Sequence, residues 1–442
     1  MKKLNKILSV SNLLWGSVLV TAVAFAIYFV IPANYSGSSH SKVKKIYYAD
    51  NISTAHQELI DRFNEEHAGK IEVVPVNLPF SKFSTNERKE LLTRAFRSKT
   101  NRIDVFAVDL IWVPRFAKWS EPLDNYFSPE EESQLLKYAI NSCYFQGRLV
   151  AHPFFIDIGL MYYRKDILRK LPDYPALKKT LKRSITWEDF IRLGRRLKPL
   201  NHPFYVFQAD NYEGLICSFY ETLLGQGRPL FRNGELQLQT PEARRGLQLL
   251  TDLVNRYQLA PRVVTQFKEN PSFHYALAKD AIFVRGWPGA FINNTFPDSE
   301  AKKIPDMEMA AVPHFKGQKP VAVYGGWDLM ISKESTQKKE AAQFLKFVVR
   351  KDMQELLYEK GGYIPINRAV YQDSGFLKKH PQLIYLRHLL DMGVYRPSLV
   401  EYTRISDIIS YYTHLAIQGE LPVSEALRRA AEAIHSKRVL VH

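Results

Sequence analysis

Tryptophans and carboxylates recur side by side along this 442-residue chain. The stretch "VDLIW" carries Asp109 and Trp112 at the end of a strand-like run, and "FFIDIG" carries Phe155 and Asp157. "FQADNYEG" carries Asp210, Tyr212 and Glu213, and "RGWPG" carries Arg285 and Trp287. "AVYGGWDLMIS", residues 322–332, sets Tyr324, Gly325 and Gly326 directly before Trp327. A flat aromatic face beside a hydrogen-bond acceptor suits a ligand with an apolar C–H face and a rim of hydroxyls, as a sugar ring has. A glycine pair next to the aromatic lets main chain approach closely or take a positive φ. Taken singly, each tryptophan has the plainer role of core packing and each aspartate that of a cap or turn.

The patterns that mark covalent or metal chemistry are missing. The chain has no G-x-S-x-G elbow, no P-loop and no H-E-x-x-H pair. Its 12 His show no metal-ligand spacing, and among 45 Asp and Glu no pair stands out for glycosidic hydrolysis. The expectation is therefore a binding protein, with no catalytic residue, cofactor or metal. A secreted carbohydrate-active enzyme is a less favoured alternative.

These residues need a scaffold. At 46% hydrophobic and 24% charged the composition is that of a globular protein. Lys2, Lys3 and Lys6 precede 25 uncharged residues, Ile7 to Ile31, and a polar Ser/Gly segment follows. That run is long enough to span a bilayer, so residues 1–31 are expected as an uncleaved signal anchor and 32–45 as a linker. A cleaved signal peptide is the alternative, because Ala24-Phe25-Ala26 resembles a cleavage site. Either implies an extracytoplasmic location. Six of the net +16 charges lie in the first 45 residues, which hold no acid, leaving +10 for the remainder. The basic residues there are scattered among acids, which argues against a nucleic-acid partner. Cys143 and Cys217 are the only cysteines, as free thiols or as one bridge.

From Ile46 the pattern alternates. "KIYYAD", "KIEVVPVNL" and "IDVFAVDL" read as strands. "STAHQELIDRFNEEH" and "NERKELLTRAFRSK" read as helices, with Leu59, Ile60 and Phe63 on one face of the first. The alternation predicts an α/β protein with a mainly parallel sheet and a ligand at the strand carboxyl ends. "TWEDFIRLGRRL" and "TPEARRGLQLLTDLVNRY" open on capping threonines. "KESTQKKEAAQFLKFVVRKDMQELLYEK" reads as one long helix after the GGW strand.

In this order "ELIDRFNEEH", "IDVFAVDLIWVPRFAKWSEPLDNY", "GRLVAHPFFIDIGLMYYRKDIL", "FVRGWPGAF", "YGGWDLMISKESTQKKEAAQFLKFV" and "KGGYIPINRAVYQD" resemble the extracellular solute-binding proteins of sugar ABC importers, nearest the trehalose/maltose-binding branch. The resemblance implies a two-lobed, flytrap-like periplasmic-binding-protein fold in which the chain crosses between lobes more than once. It places lobe one at 46–155 plus 304–355 and lobe two at 156–303 plus 356–435. It implies a carbohydrate ligand held in the cleft and ABC permease subunits in the membrane as partners, the binding protein itself a monomer. By the same resemblance Gly325 and Gly326 let main chain meet sugar hydroxyls, and Trp327 and Trp287 stack on rings. Asp109 and Asp157 accept hydroxyl hydrogen bonds, Arg88 and Arg396 make polar contacts, and Tyr212 lies on a cleft-facing loop. Asp50 is the one acid of "ADNISTAH", where Ser53 and Thr54 replace a carboxylate usual in the family. Gly289 stands where disaccharide binders often carry another aromatic. The same fold also serves as a ligand sensor signalling to a membrane receptor, a second reading of the same residues.

Overall fold

The structure is a computed structural model and describes residues 43–79, 82–83, 85–98 and 102–436. The expected signal segment lies outside the described residues. Among the described residues no helix is long and apolar enough to cross a membrane.

The chain opens with β1 (Lys44–Asp50), α1 (Thr54–Glu66), β2 (Ile71–Asn77), α2 (Thr85–Ser98) and β3 (Val105–Asp109), the alternation read from the sequence. Ser53 caps α1, and Leu59, Ile60 and Phe63 on its buried face meet the sheet. After several short elements come β4 (His152–Ile158), β5 (Leu160–Arg164), α3 (Trp187–Leu197), β6 (Tyr205–Val206), α4 (Glu213–Leu224) and α5 (Pro241–Asn255). Thr186 and Thr240 cap α3 and α5, accepting from Asp189 N at 3.1 Å and Ala243 N at 3.3 Å. Then follow β7 (Phe283–Gly286), β8 (Met307–Ala310), β9 (Ala322–Ile331), α6 (Lys338–Val348), α7 (Lys351–Gly361), β10 (Gly393–Val394), α8 (Tyr402–Gln418) and α9 (Val423–His435).

Two main sheets result, one for each lobe, beside two small two-stranded ones. In the first, β1 pairs parallel with β2 and β3, and β9 runs antiparallel between β3 and β4, with β10 on its opening residues. The sheet is thus mixed where a mainly parallel one was expected. The second has the order β8-β5-β7-β6. Three chain passages join the lobes, at Gly159, between Ala310 and Ala322, and between β10 and α8.

The lobe boundaries differ from those expected. β4 stays in the first sheet to Ile158, beyond 155. β8 hydrogen-bonds β5, so residues 307–310 belong to the second lobe although 304 was expected to begin the first. The stretch after 355 remains on the first lobe: α7 packs on α1, Ile364 bridges Ile156, and Asn367 bridges Leu135. The long helix is also two. Arg350 is extended (φ −56°, ψ 147°) and starts α7, and its guanidinium pairs with Glu66 and Asp352 at that break. Cys143 and Cys217 are buried free thiols.

Candidate ligand-binding cleft

Strand register gathers the candidates of the first lobe. β9 sets Trp327 opposite Asp109 of β3 and opposite Phe155 of β4, and Gly325 opposite Asp157 of β4. Residues nearly fifty and more than two hundred positions apart thus meet at one end of the sheet. Asp50 and Asp109 stand at the carboxyl ends of β1 and β3, where ligands of α/β sheets bind.

The glycine pair makes room for protein on both sides. Gly326 has φ +131°, and a Cβ there would lie 2.6 Å from the Phe155 carbonyl oxygen. It therefore permits the close approach of β4. A Cβ on Gly325 would lie 2.9 Å from Cζ3 of Trp287 and 3.2 Å from Cβ of Asp157. Trp287 follows β7 of the second lobe, so its ring crosses the cleft and lies against Gly325. Its backbone is held by Tyr162, whose hydroxyl donates to the Trp287 carbonyl at 3.0 Å. Beyond it the lobes touch main chain to main chain: a Cβ on Gly289 (φ +74°) would lie 2.6 Å from the Gly361 carbonyl oxygen, which also accepts from Asn293 Nδ2 at 2.6 Å. Gly289 is thus glycine for closure, and no aromatic fits there.

Asp157 stands beside this contact. Its Oδ1 is shielded from solvent and has no hydrogen-bond partner among the described residues. Burial, and then the charge of Asp109, hold its pKa well above the carboxylate range. A buried acceptor without a donor is costly, and a ligand hydroxyl would satisfy it.

Trp327 is half-buried and already engaged. The Arg88 guanidinium lies over its ring at 4.2 Å, and Trp112 meets it edge-on at 5.5 Å. Arg88, 1% exposed, donates to Asp50 Oδ1 at 2.7 Å. Asp50 also accepts from the Tyr48 hydroxyl at 2.5 Å and has His56 Nε2 at 3.4 Å. Burial raises the Asp50 pKa, but His56, Arg88 and Tyr48 together outweigh it and leave it below the ordinary value. Arg88, anchored by Asp50, and Trp112 thus hold the Trp327 ring in place; Trp112, at 1% exposure, is core.

Arg396 spans the lobes. Its Nη1 donates to Glu213 Oε1 at 2.8 Å, and its Nη2 to Asp109 Oδ1 at 3.1 Å and the Tyr324 carbonyl at 3.4 Å. Asp109 Oδ1 accepts from Ile111 N at 3.1 Å as well, and its Oδ2 accepts nothing among the described residues. Burial raises the Asp109 pKa, Arg396 draws it down and Glu213 raises it again, for a net upward shift. One cation between two buried acids favours the charged arginine and disfavours one carboxylate.

Tyr212 is packed against its own helix. It is 5% exposed in the second lobe, its ring over Gly214, where a Cβ would lie 2.1 Å from the hydroxyl. A ring that covers the first turn of α4 is buried by that packing, whatever the loop before it does.

Glu221 was not among the expected site residues. It grips Arg285 through two bonds of 2.8 Å and accepts from Val323 N at 3.3 Å. The sequence did carry a signal. In "EGLICSFYETLL" Glu213 and Glu221 are the only charged residues of a largely apolar helix, and acids inside such a helix need buried cations. Tyr363, whose ring lies 4.5 Å from Phe155 and whose hydroxyl donates to Ser53 at 3.2 Å, joins the same strand end and carried no such signal.

A family model, "Bacterial extracellular solute-binding protein", matches residues 49–355, more than half of the chain. The chain belongs to this family. It is 29% identical over 350 residues to the Deinococcus radiodurans protein named "Probable ABC transporter-binding protein", covering 78% of this chain and 82% of that one. Maltose-bound MalE3 of T. maritima superposes with a TM-score of 0.80 at 28% identity, over 90% of this chain and 100% of that one. A solute-binding protein of Thermotoga lettingae bound with α-D-tagatose shares the fold, with a TM-score of 0.76 at 22% identity over 90% and 99% of the two chains. The two-lobed architecture and the extracellular solute-binding class expected from the sequence therefore hold.

Proposed function

We propose that this protein captures a di- or oligosaccharide between its lobes outside the cytoplasmic membrane and delivers it to ABC permease subunits. The observation that carries the reading is the facing of Trp287, from one lobe, with Gly325 and the unpartnered Oδ1 of Asp157, from the other. A ring face and a buried acceptor at one point are the two things a sugar ring requires. The likeness to maltose-bound MalE3 supports the ligand class. The 25-residue uncharged run, Ile7 to Ile31, supports retention at the outer face of the membrane by an N-terminal anchor. Ligand held by both walls favours the closed arrangement, because only there does it gain both sets of contacts.

A thermal-shift screen of the purified protein against mono-, di- and oligosaccharides, maltose and trehalose among them, tests this. A sugar at 100 times its dissociation constant adds about 2.7 kcal/mol to stability. A panel in which no sugar raises the melting temperature refutes the ligand class.

A further inference from the structure

Glu213, Arg396 and Asp109 form a chain of charge across the hinge that needs no ligand. Glu213 opens α4 in the second lobe and is 8% exposed. The Tyr402 hydroxyl of α8, which packs on α4, donates to Glu213 Oε1 at 2.7 Å, so this acid is fixed within its own lobe. Asp109 and the Tyr324 carbonyl are fixed in the first sheet. Arg396 lies on the passage from β10 to α8, one of the chain segments that join the lobes, and is 3% exposed. One edge of its guanidinium serves Glu213, the other Asp109 and Tyr324.

Among the described residues neither acid has another basic side chain within ion-pair distance. A movement that parts the ends of β3 and β9 from the start of α4 must break one arm of the fork. A carboxylate then loses its only cation while still largely shielded from water, which is strongly unfavourable. A lysine could not replace the fork, since a single ammonium cannot hold two acceptors in the planar geometry a guanidinium offers.

We propose that Glu213 and Arg396 form an interlobe tie that biases the lobes toward closure before any ligand arrives, with Glu213 as a positioning residue that holds, through Arg396, the carboxylate of Asp109 in its cleft orientation. The tie is independent of which solute the cleft takes.

Small-angle scattering of the ligand-free protein tests it, on the wild type, Glu213→Gln and Tyr402→Phe. Glu213→Gln keeps the side-chain shape and removes the charge, and Tyr402→Phe removes one hydroxyl. The wild type is expected to scatter as the more compact particle. Glu213→Gln raises the ratio of open to closed molecules about tenfold, the change that loss of one charge-assisted hydrogen bond produces. Tyr402→Phe shifts it the same way by less. A merely structural role would lower the melting temperature and leave the scattering of the folded protein unchanged. If both folded variants have the wild-type radius of gyration, the tie is overturned. Should Glu213→Gln fail to fold, Tyr402→Phe decides by the same criterion.

Discussion

Replacing Gly325 by alanine should weaken ligand binding without unfolding the protein. The backbone at Gly325 has no positive φ, so alanine brings no strain of its own. The added Cβ would meet the Trp287 ring at 2.9 Å and Cβ of Asp157 at 3.2 Å. Ordinary carbon–carbon contact begins at about 3.5 Å, so the methyl is roughly half an ångström too close to the ring. Asp157 belongs to the same sheet, and its share of the crowding falls on open and closed forms alike. Trp287 belongs to the other lobe, so the larger overlap exists only when the lobes meet. Overpacking of this kind costs about 1–3 kcal/mol, which is about 5- to 150-fold in dissociation constant. Isothermal titration calorimetry with the sugar found in the screen reads this loss, and a melting curve without ligand should fall only as far as opening the lobes requires. A double-mutant cycle fixes the cause. In a Trp287→Ala background the obstruction is gone, and Gly325→Ala should then cost less than about 0.5 kcal/mol. Losses that simply add, or an affinity untouched by Gly325→Ala, would show that Trp287 and Gly325 do not meet in the bound state.

Asp157→Asn should weaken sugar binding by about 0.5–1.5 kcal/mol, the worth of a neutral hydrogen bond, measured by calorimetry. Because the pKa of Asp157 is raised, the same change should stabilise the ligand-free protein increasingly as pH rises above the ordinary carboxylate range, and unchanged melting across pH would refute it. Asp328, 2% exposed on β9, has its pKa raised to about 8, chiefly by burial, with Ser142 and Cys143 opposing. Below about pH 4 it is protonated folded or unfolded; from there to about pH 8 only the unfolded chain ionises, so folding stability falls by on the order of 5 kcal/mol and then levels. Chemical denaturation of Asp328→Asn from pH 4 to 9 should show that fall abolished. Trp112→Ala should cost about 3–5 kcal/mol of stability as a core truncation, and Trp327→Ala less stability but measurable affinity, since its ring is half-buried and backed by Arg88. Equal melting temperatures for the two variants would contradict that division.

Local chemistry determined much of this protein. The strands at β1, β2 and β3 follow from runs of apolar and β-branched residues, and α1 follows from a capping serine and the spacing of Leu59, Ile60 and Phe63. Those signals are short-range, and the structure keeps them. The order of motifs along the chain was enough for the two-lobed fold, and two of the aromatic–carboxylate pairs, Asp109 with Trp327 and Asp157 beside Phe155, come together at one end of the first sheet. What the sequence could not convey was which partner each side chain meets. Asp50, Arg88 and Trp112 looked like separate ligand contacts, yet Asp50 pairs with Arg88, and Arg88 and Trp112 both meet the ring of Trp327. Gly325 looked like a place for sugar to touch main chain, yet the space beside it holds a tryptophan from the other lobe. The passages between lobes, the side of the hinge on which β8 falls, and the bridge from Glu213 through Arg396 to Asp109 all join residues far apart in the chain. Periodicity and capping act within a few residues, whereas buried charges must be neutralised by whatever the fold brings beside them, and only the tertiary structure decides that.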